Sequence, residues 1–251
     1  MFGIDHASLF CDVYGKHLIR IGEKPKQENM MKEQFRKTNP MINAFAQQSA
    51  DNLYHVACCV QITIQQDTSN LCLLNTEFKK YGSKIKVLNN MKSKRESCEY
   101  FYNNRHEIYG KMMAIIKSKK GDIPNKIMDL FISCPNFGIA KASFLGQLAV
   151  GHKGLACFDS VNIKKYGIEK RVVSAIPKSM SKEGRAKRIQ LYIDTVNKLG
   201  GSEKLWNEWC NQIYENRIGK APNRQFKSGL DVSLRHGHWF TTWQNRYNNN
   251  L

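Results

Sequence analysis

The chain has 251 residues, 41% of them apolar, which suits one large domain or two small lobes around a shared cleft. It carries 39 Lys and Arg against 21 Asp and Glu, a formal net charge of +18, and that balance calls for a polyanionic partner: DNA, RNA or an anionic membrane surface. A membrane is the poorer match, because no apolar run approaches 18 residues and no basic amphipathic segment shows an obvious lipid face.

The first residues are interrupted by Asp5, His6, Asp12 and Lys16, unlike a signal peptide. Residues 1–40 read as an N-terminal arm or linker, with a polar, basic run from Glu23 to Asn39 that contains Pro25 and ends at Pro40. From Met41 to Ile64 the apolar positions Phe45, Ala46, Ala50, Leu53, Val56, Ala57 and Val60 recur at three and four, the period of a helix. Gln61 to Gln66 is rich in β-branched residues and also admits a short strand. Leu71 to Leu74, Ile85, Val87 and Leu88 are further apolar pieces around a Tyr81-Gly82-Ser83 turn. Arg95 to Lys117 predicts a helix with Tyr100, Phe101, Ile108, Met112, Ile115 and Ile116 inward. Gly121 stops it, Asp122 is placed to cap the next helix, and Pro124 falls in that helix's first turn.

Two apolar segments, one ending at Ser133 and one running from Ile139 to Val150, flank Cys134-Pro135-Asn136-Phe137-Gly138. Pro135 presets a turn. Gly138 is expected to take positive φ freely, and Asn136 is among the few other residues that tolerate it. A helix starting after Gly138 directs unpaired N–H groups outward and attracts an anion. Lys141, in its first turn, opposes the helix dipole, a placement suited to a nearby phosphate.

Ala156 to Ile163 is an apolar approach that ends in Asp159 beside Ser160 and Asn162. Val161 to Tyr166 starts a helix that Gly167 ends, and Pro177 breaks the chain again. Glu183 to Leu199 is amphipathic through Ile189, Tyr192, Ile193 and Val196, and Gly200-Gly201 terminates it. Ser202 is expected to cap Glu203 to Tyr214, whose stripe of Leu205, Trp206, Trp209, Cys210 and Ile213 reads as core. The last 35 residues are basic and polar, with Trp239, Phe240 and Trp243 as anchors packing a C-terminal extension (217–251) on the body. The eight cysteines, Cys11, Cys58, Cys59, Cys72, Cys98, Cys134, Cys157 and Cys210, form no Cys-x-x-Cys pair. They read as buried thiols in a reducing, cytoplasmic setting, with no structural zinc.

Cys134-Pro135-Asn136-Phe137-Gly138-Ile139-Ala140-Lys141-Ala142, followed by Asp159, resembles the helix-hairpin-helix DNA glycosylase superfamily, the endonuclease III-like fold. The resemblance covers Ile123 to Ile168. The family's hairpin reads Leu-Pro-Gly-hydrophobic-Gly, then two variable residues, then Thr-Ala, with an aspartate at nearly this spacing. Here Asn136 stands for the first glycine and Lys141-Ala142 for the Thr-Ala pair. Ala140 occupies the position of the Schiff-base lysine of bifunctional members, so the resemblance implies a monofunctional enzyme. Cys210 is the only cysteine after Cys157, so the family's four-cysteine iron–sulfur loop is missing.

The resemblance implies an all-α helical bundle in two lobes, with the helix-hairpin-helix at 123–150 inside a domain spanning 41–216. It implies a monomer on double-stranded DNA whose target nucleotide is flipped out, with Asp159 stabilising the cationic sugar or orienting a water. No cofactor and no metal are expected. DNA contacts are expected at Asn136, Gly138, Ala140, Lys141 and Asn162. The basic run of Lys182, Arg185, Lys187 and Arg188 adds phosphate contacts. Each assignment has a plainer alternative: Asp159 as a helix cap, Asn162 as a helix-start residue, Lys141 as a solvated lysine, and the basic run as an exposed face. Arg235-His236-Gly237-His238 reads as a phosphate-facing tail before it reads as a metal pair. Two other outcomes for the whole chain stay open. One is a non-catalytic DNA-binding protein. The other is the group-transfer chemistry on hydroxymethyluracil-derived bases that similar phage-associated proteins perform. An RNA-binding or virion-associated basic protein has only charge in its favour.

Overall fold

A computed structural model describes residues 42–63, 92–118, 121–158 and 160–213, and all the regular structure among them is helical. A helical turn, α1 (42–46), precedes α2 (Ala50–Thr63), α3 (Lys92–Asn103), α4 (Arg105–Ser118) and α5 (Ile123–Ile132). After them come α6 (Ile139–Val150), α7 (Ser160–Tyr166), α8 (Lys170–Val173), α9 (Lys182–Lys198) and α10 (Gly201–Ile213). No helix among the described residues is long and apolar enough to cross a membrane. The N-terminal arm, the apolar pieces between Leu71 and Leu88, Asp159, and the C-terminal extension with its histidines lie outside the described residues.

Capping chemistry starts the helices that frame the hairpin. The Asp122 carboxylate accepts from Asn125 N at the head of α5, with Pro124 in the first turn, and Ser181 Oγ accepts from Gly184 N at the head of α9. α5 buries Pro124, Ile127, Met128 and Phe131, the spacing of one helical face. α6 differs, because its residues from Ala142 to Ala149 are all buried. It is the central helix, packed against α5 and α2. Gly146 lets it approach closely, since a Cβ there would meet Leu155 Cδ1 at 2.9 Å and Ile127 Cγ2 at 3.0 Å. The buried side chains, from Ile42 on α1 to Trp206 on α10, form one cluster.

Side-chain contacts fix which helix ends lie together. Asn125 Nδ2 donates to Gln190 Oε1 at 2.6 Å, and Arg185 meets Asp129 at 2.6 Å, so α9 runs antiparallel to α5. The start of α9 therefore lies beside the end of α5 and the hairpin. Asn136 Nδ2 donates to Ser93 O at 2.8 Å, which brings the start of α3 to the same end. At the opposite end, Asn43 Nδ2 donates to Gln147 O and Leu148 O, and Gln47 Nε2 to Ala149 O, closing the last carbonyls of α6. Ser202 N donates to Lys153 O at 2.8 Å there.

Three boundaries depart from the periodic pattern. The apolar run from Met41 is broken at 47–49, because Ser49 Oγ accepts from Asn52 N and restarts the helix as α2. α2 then continues through Thr63, so helix rather than strand takes Gln61 to Thr63. Arg95 to Lys117 splits at Asn104, whose Nδ2 turns back to Tyr100 O at 2.8 Å. Ser202 is not the cap of α10: the helix begins at Gly201, and Ser202 is buried against the loop after α6.

Candidate nucleic-acid interface

The hairpin is a tight turn with one special residue. Phe137 N donates to Cys134 O at 3.2 Å, closing a four-residue turn with Pro135 second and Asn136 third. Asn136 has φ 61°, and it is the only residue other than glycine with positive φ among the described residues. Proline second and positive φ third is the pattern of a type II turn, in which asparagine is the usual substitute for glycine. Gly138 does not take positive φ as expected. Its φ and ψ are −76° and 171°, because the reversal is complete by Phe137 and the chain leaves it extended. Phe137 is buried with its ring 6.1 Å from that of Phe101, which anchors the turn to α3.

Gly138 is the N-cap of α6 and offers no side-chain acceptor. The starts of α5 and α9 each have one. The first backbone donor of α6 with an intrahelical partner is Ala142 N, which bonds Gly138 O at 2.9 Å. A Cβ built on Gly138 meets nothing within 4 Å, so the approach to the amides of the first turn is open. Such a terminus carries a partial positive charge and suits a phosphate oxygen. Ala140 is half-buried two residues further on.

Lys141 does not extend into solvent. Its Nζ donates to Gln61 Oε1 at 2.9 Å and to Asn136 O at 3.3 Å, so it ties the hairpin to α2. Gln61 is fully buried and passes the chain of bonds to Ser97 Oγ at 2.9 Å. Burial, with the Lys94 ammonium adding to it, lowers the pKa of Lys141, and burial also lowers that of Lys94. Lys141 is therefore a half-buried cation on neutral oxygens, placed where an incoming anion would raise its affinity for the proton.

The other expected contact residues divide. Lys182 is exposed at the first position of α9, and Lys187 is exposed beside Glu183 at 2.6 Å. Arg185 and Arg188 are part of the scaffold. Arg185 pairs with Asp129 at 2.6 Å and donates to Asp129 O at 2.8 Å, and Arg188 donates to Ser174 O and Oγ at 3.1 and 3.0 Å. Asn162 is 1% exposed, with Nδ2 donating to Cys157 O, so its side chain faces inward rather than toward a nucleotide.

Asp159 itself is not described, but the segment that leads to it is held by residues the apolar pattern conceals. Ala156 N donates to Ser143 Oγ, Cys157 N to Gln147 Oε1, and Phe158 N to Tyr192 Oη, each at 3.1 Å. Tyr192 Oη returns a bond to Ala156 O at 2.9 Å. Burial pushes the Tyr192 hydroxyl well above the ordinary tyrosine range, so it stays a neutral donor and acceptor. The visible signal was a pair of polar residues, Ser143 and Gln147, four apart inside an otherwise apolar helix.

Among the described residues no group of His, Cys, Asp and Glu could hold a metal ion. Burial raises the thiol of Cys134 to about 12 and that of Cys58 well above its usual range, which makes both poor nucleophiles. An open groove lined by Gly200, Glu203, Lys204, Asn207 and Glu208 lies at the end of the bundle away from the hairpin. No family model, curated protein or solved structure matches the chain.

Proposed function

We propose that this chain binds duplex DNA through a glycosylase-type helix-hairpin-helix and acts on a flipped-out base with the assistance of Asp159, as a monofunctional base-excision enzyme. One observation carries the reading: the start of α6 is uncapped and sterically open directly after the Pro135-Asn136 turn, while the starts of α5 and α9 are closed by Asp122 and Ser181. A DNA phosphate completes the hydrogen bonds that Gly138 leaves unmade. The net charge of +18 supplies the long-range attraction.

Gly138→Asp tests the reading. Aspartate is a good N-cap, so the fold is retained, but its carboxylate takes the amides and repels a phosphate. Duplex affinity falls by about tenfold or more, since a charge-assisted phosphate contact is lost and a like charge is introduced. Unchanged affinity in a folded variant overturns the reading. The chemical half is read on duplexes carrying uracil, alkylated, oxidised or hydroxymethylated bases, by mass spectrometry for lost or altered base.

A further inference from the structure

The positive charge of the described residues is concentrated in one stretch. Residues 160–188 hold nine Lys and Arg against two Glu, whereas the other described residues hold eleven against nine. The antiparallel packing of α9 on α5 brings the later part of this stretch to the hairpin end, as the Arg185–Asp129 pair shows. Arg188, bonded to Ser174 O and Oγ, holds the end of α8 against the first turns of α9. Lys170, Lys178 and Lys182 are exposed, and among the described residues their ammonium groups have no hydrogen-bond or ion-pair partner. Arg185 and Arg188 brace the surface, and these three lysines are left for a ligand.

We infer that Lys170, Lys178 and Lys182 form a second phosphate-contacting surface, separate from the hairpin, which grips another part of the same duplex backbone. The inference rests on the DNA-binding reading and extends it. It keeps Lys182 from the expected basic run, leaves out Arg185 and Arg188, which are engaged within the fold, and adds Lys170 and Lys178. A nucleic acid fits this surface better than a lipid surface does. The exposed large hydrophobic side chain among the described residues is Tyr100, on α3, so the described side chains of 160–188 offer no apolar anchor for a bilayer. An array of solvated ammonium groups with no apolar centre suits a regularly charged backbone.

The test compares two triple variants of the full chain in salt titrations with a short duplex. Lys170→Gln/Lys178→Gln/Lys182→Gln removes the surface. Lys126→Gln/Lys198→Gln/Lys204→Gln removes the same charge from exposed positions at the opposite end of the bundle. The first variant is expected to lose about two to three units of log–log salt slope, at roughly 0.9 per phosphate contact, and to bind at least about tenfold more weakly near physiological salt. The second is expected to keep its slope within about one unit. Equal losses in the two variants overturn the second surface and leave the hairpin reading standing. A wild-type chain with no duplex affinity removes both. Wild-type binding to phosphatidylserine vesicles that is as strong as binding to duplex, and is lost in the first variant, overturns the nucleic-acid assignment.

Discussion

Asn136 combines a positive φ with a side chain that reaches across to α3, and the two properties separate under substitution. Asn136→Ala puts a residue that tolerates the left-handed region less well than asparagine at φ 61° and removes the bond to Ser93 O. The expected loss is about 2 kcal/mol, roughly half from each cause. Asn136→Gly loses the same bond but relaxes the backbone, so its cost is expected to stay within about 1 kcal/mol. Urea denaturation of both proteins decides this, and equal losses would remove backbone strain from the account. The turn was legible in Pro135-Asn136, and Asn136 was named beside Gly138 as a residue that tolerates positive φ. Glycine is the default guess for positive φ, so Gly138 drew the expectation. Phe137 settles the matter by a tertiary contact with Phe101, which ends the reversal one residue earlier than local sequence suggests.

Helices with their own punctuation were legible as elements: α5 between Gly121-Asp122 and the hairpin, α7 ending before Gly167, and α9 ending before Gly200-Gly201. The breaks at Ser49 and Asn104 were not, because each depends on a side chain choosing a local backbone partner inside an unbroken apolar period. The clasp on Ala156 to Phe158 was hidden for a different reason. Its members are far apart in sequence, and Tyr192 counted only as an apolar position. Tyr192→Phe keeps the ring against Phe158, whose centroid lies 4.8 Å away, and deletes the bonds to Phe158 N and Ala156 O. Two buried backbone groups then lose a partner, at an expected cost of about 1–3 kcal/mol. If the clasp positions the residue that follows Phe158, base-directed turnover drops in Tyr192→Phe as it does in Asp159→Asn, with duplex affinity held in both. Turnover unchanged in Tyr192→Phe at a measured loss of stability would make the clasp purely structural.

At the scale of the molecule, net charge and arrangement make different predictions about heat. The sequence sets the charge at +18 whether the chain is folded or not. A chain that bound DNA by charge alone would bind it unfolded as well as folded, and its melting temperature would not move. An organised end, with the hairpin amides and the start of α9 on the same side of the bundle, exists only in the folded state. Ligand that prefers the folded state stabilises it by about 2.7 kcal/mol at one hundred times the dissociation constant. For a chain of this size that shift is about 5–10 °C. Binding by the unfolded chain subtracts from it, so an observed rise measures the part owed to folded geometry. The rise should fade as salt approaches about 1 M, where screening acts within roughly 3 Å. Thermal melts with and without duplex, at low and high salt, provide the measurement. Tight binding with no rise in melting temperature would show that the +18 charge acts without the hairpin. A rise that survives high salt would point to contacts other than phosphates.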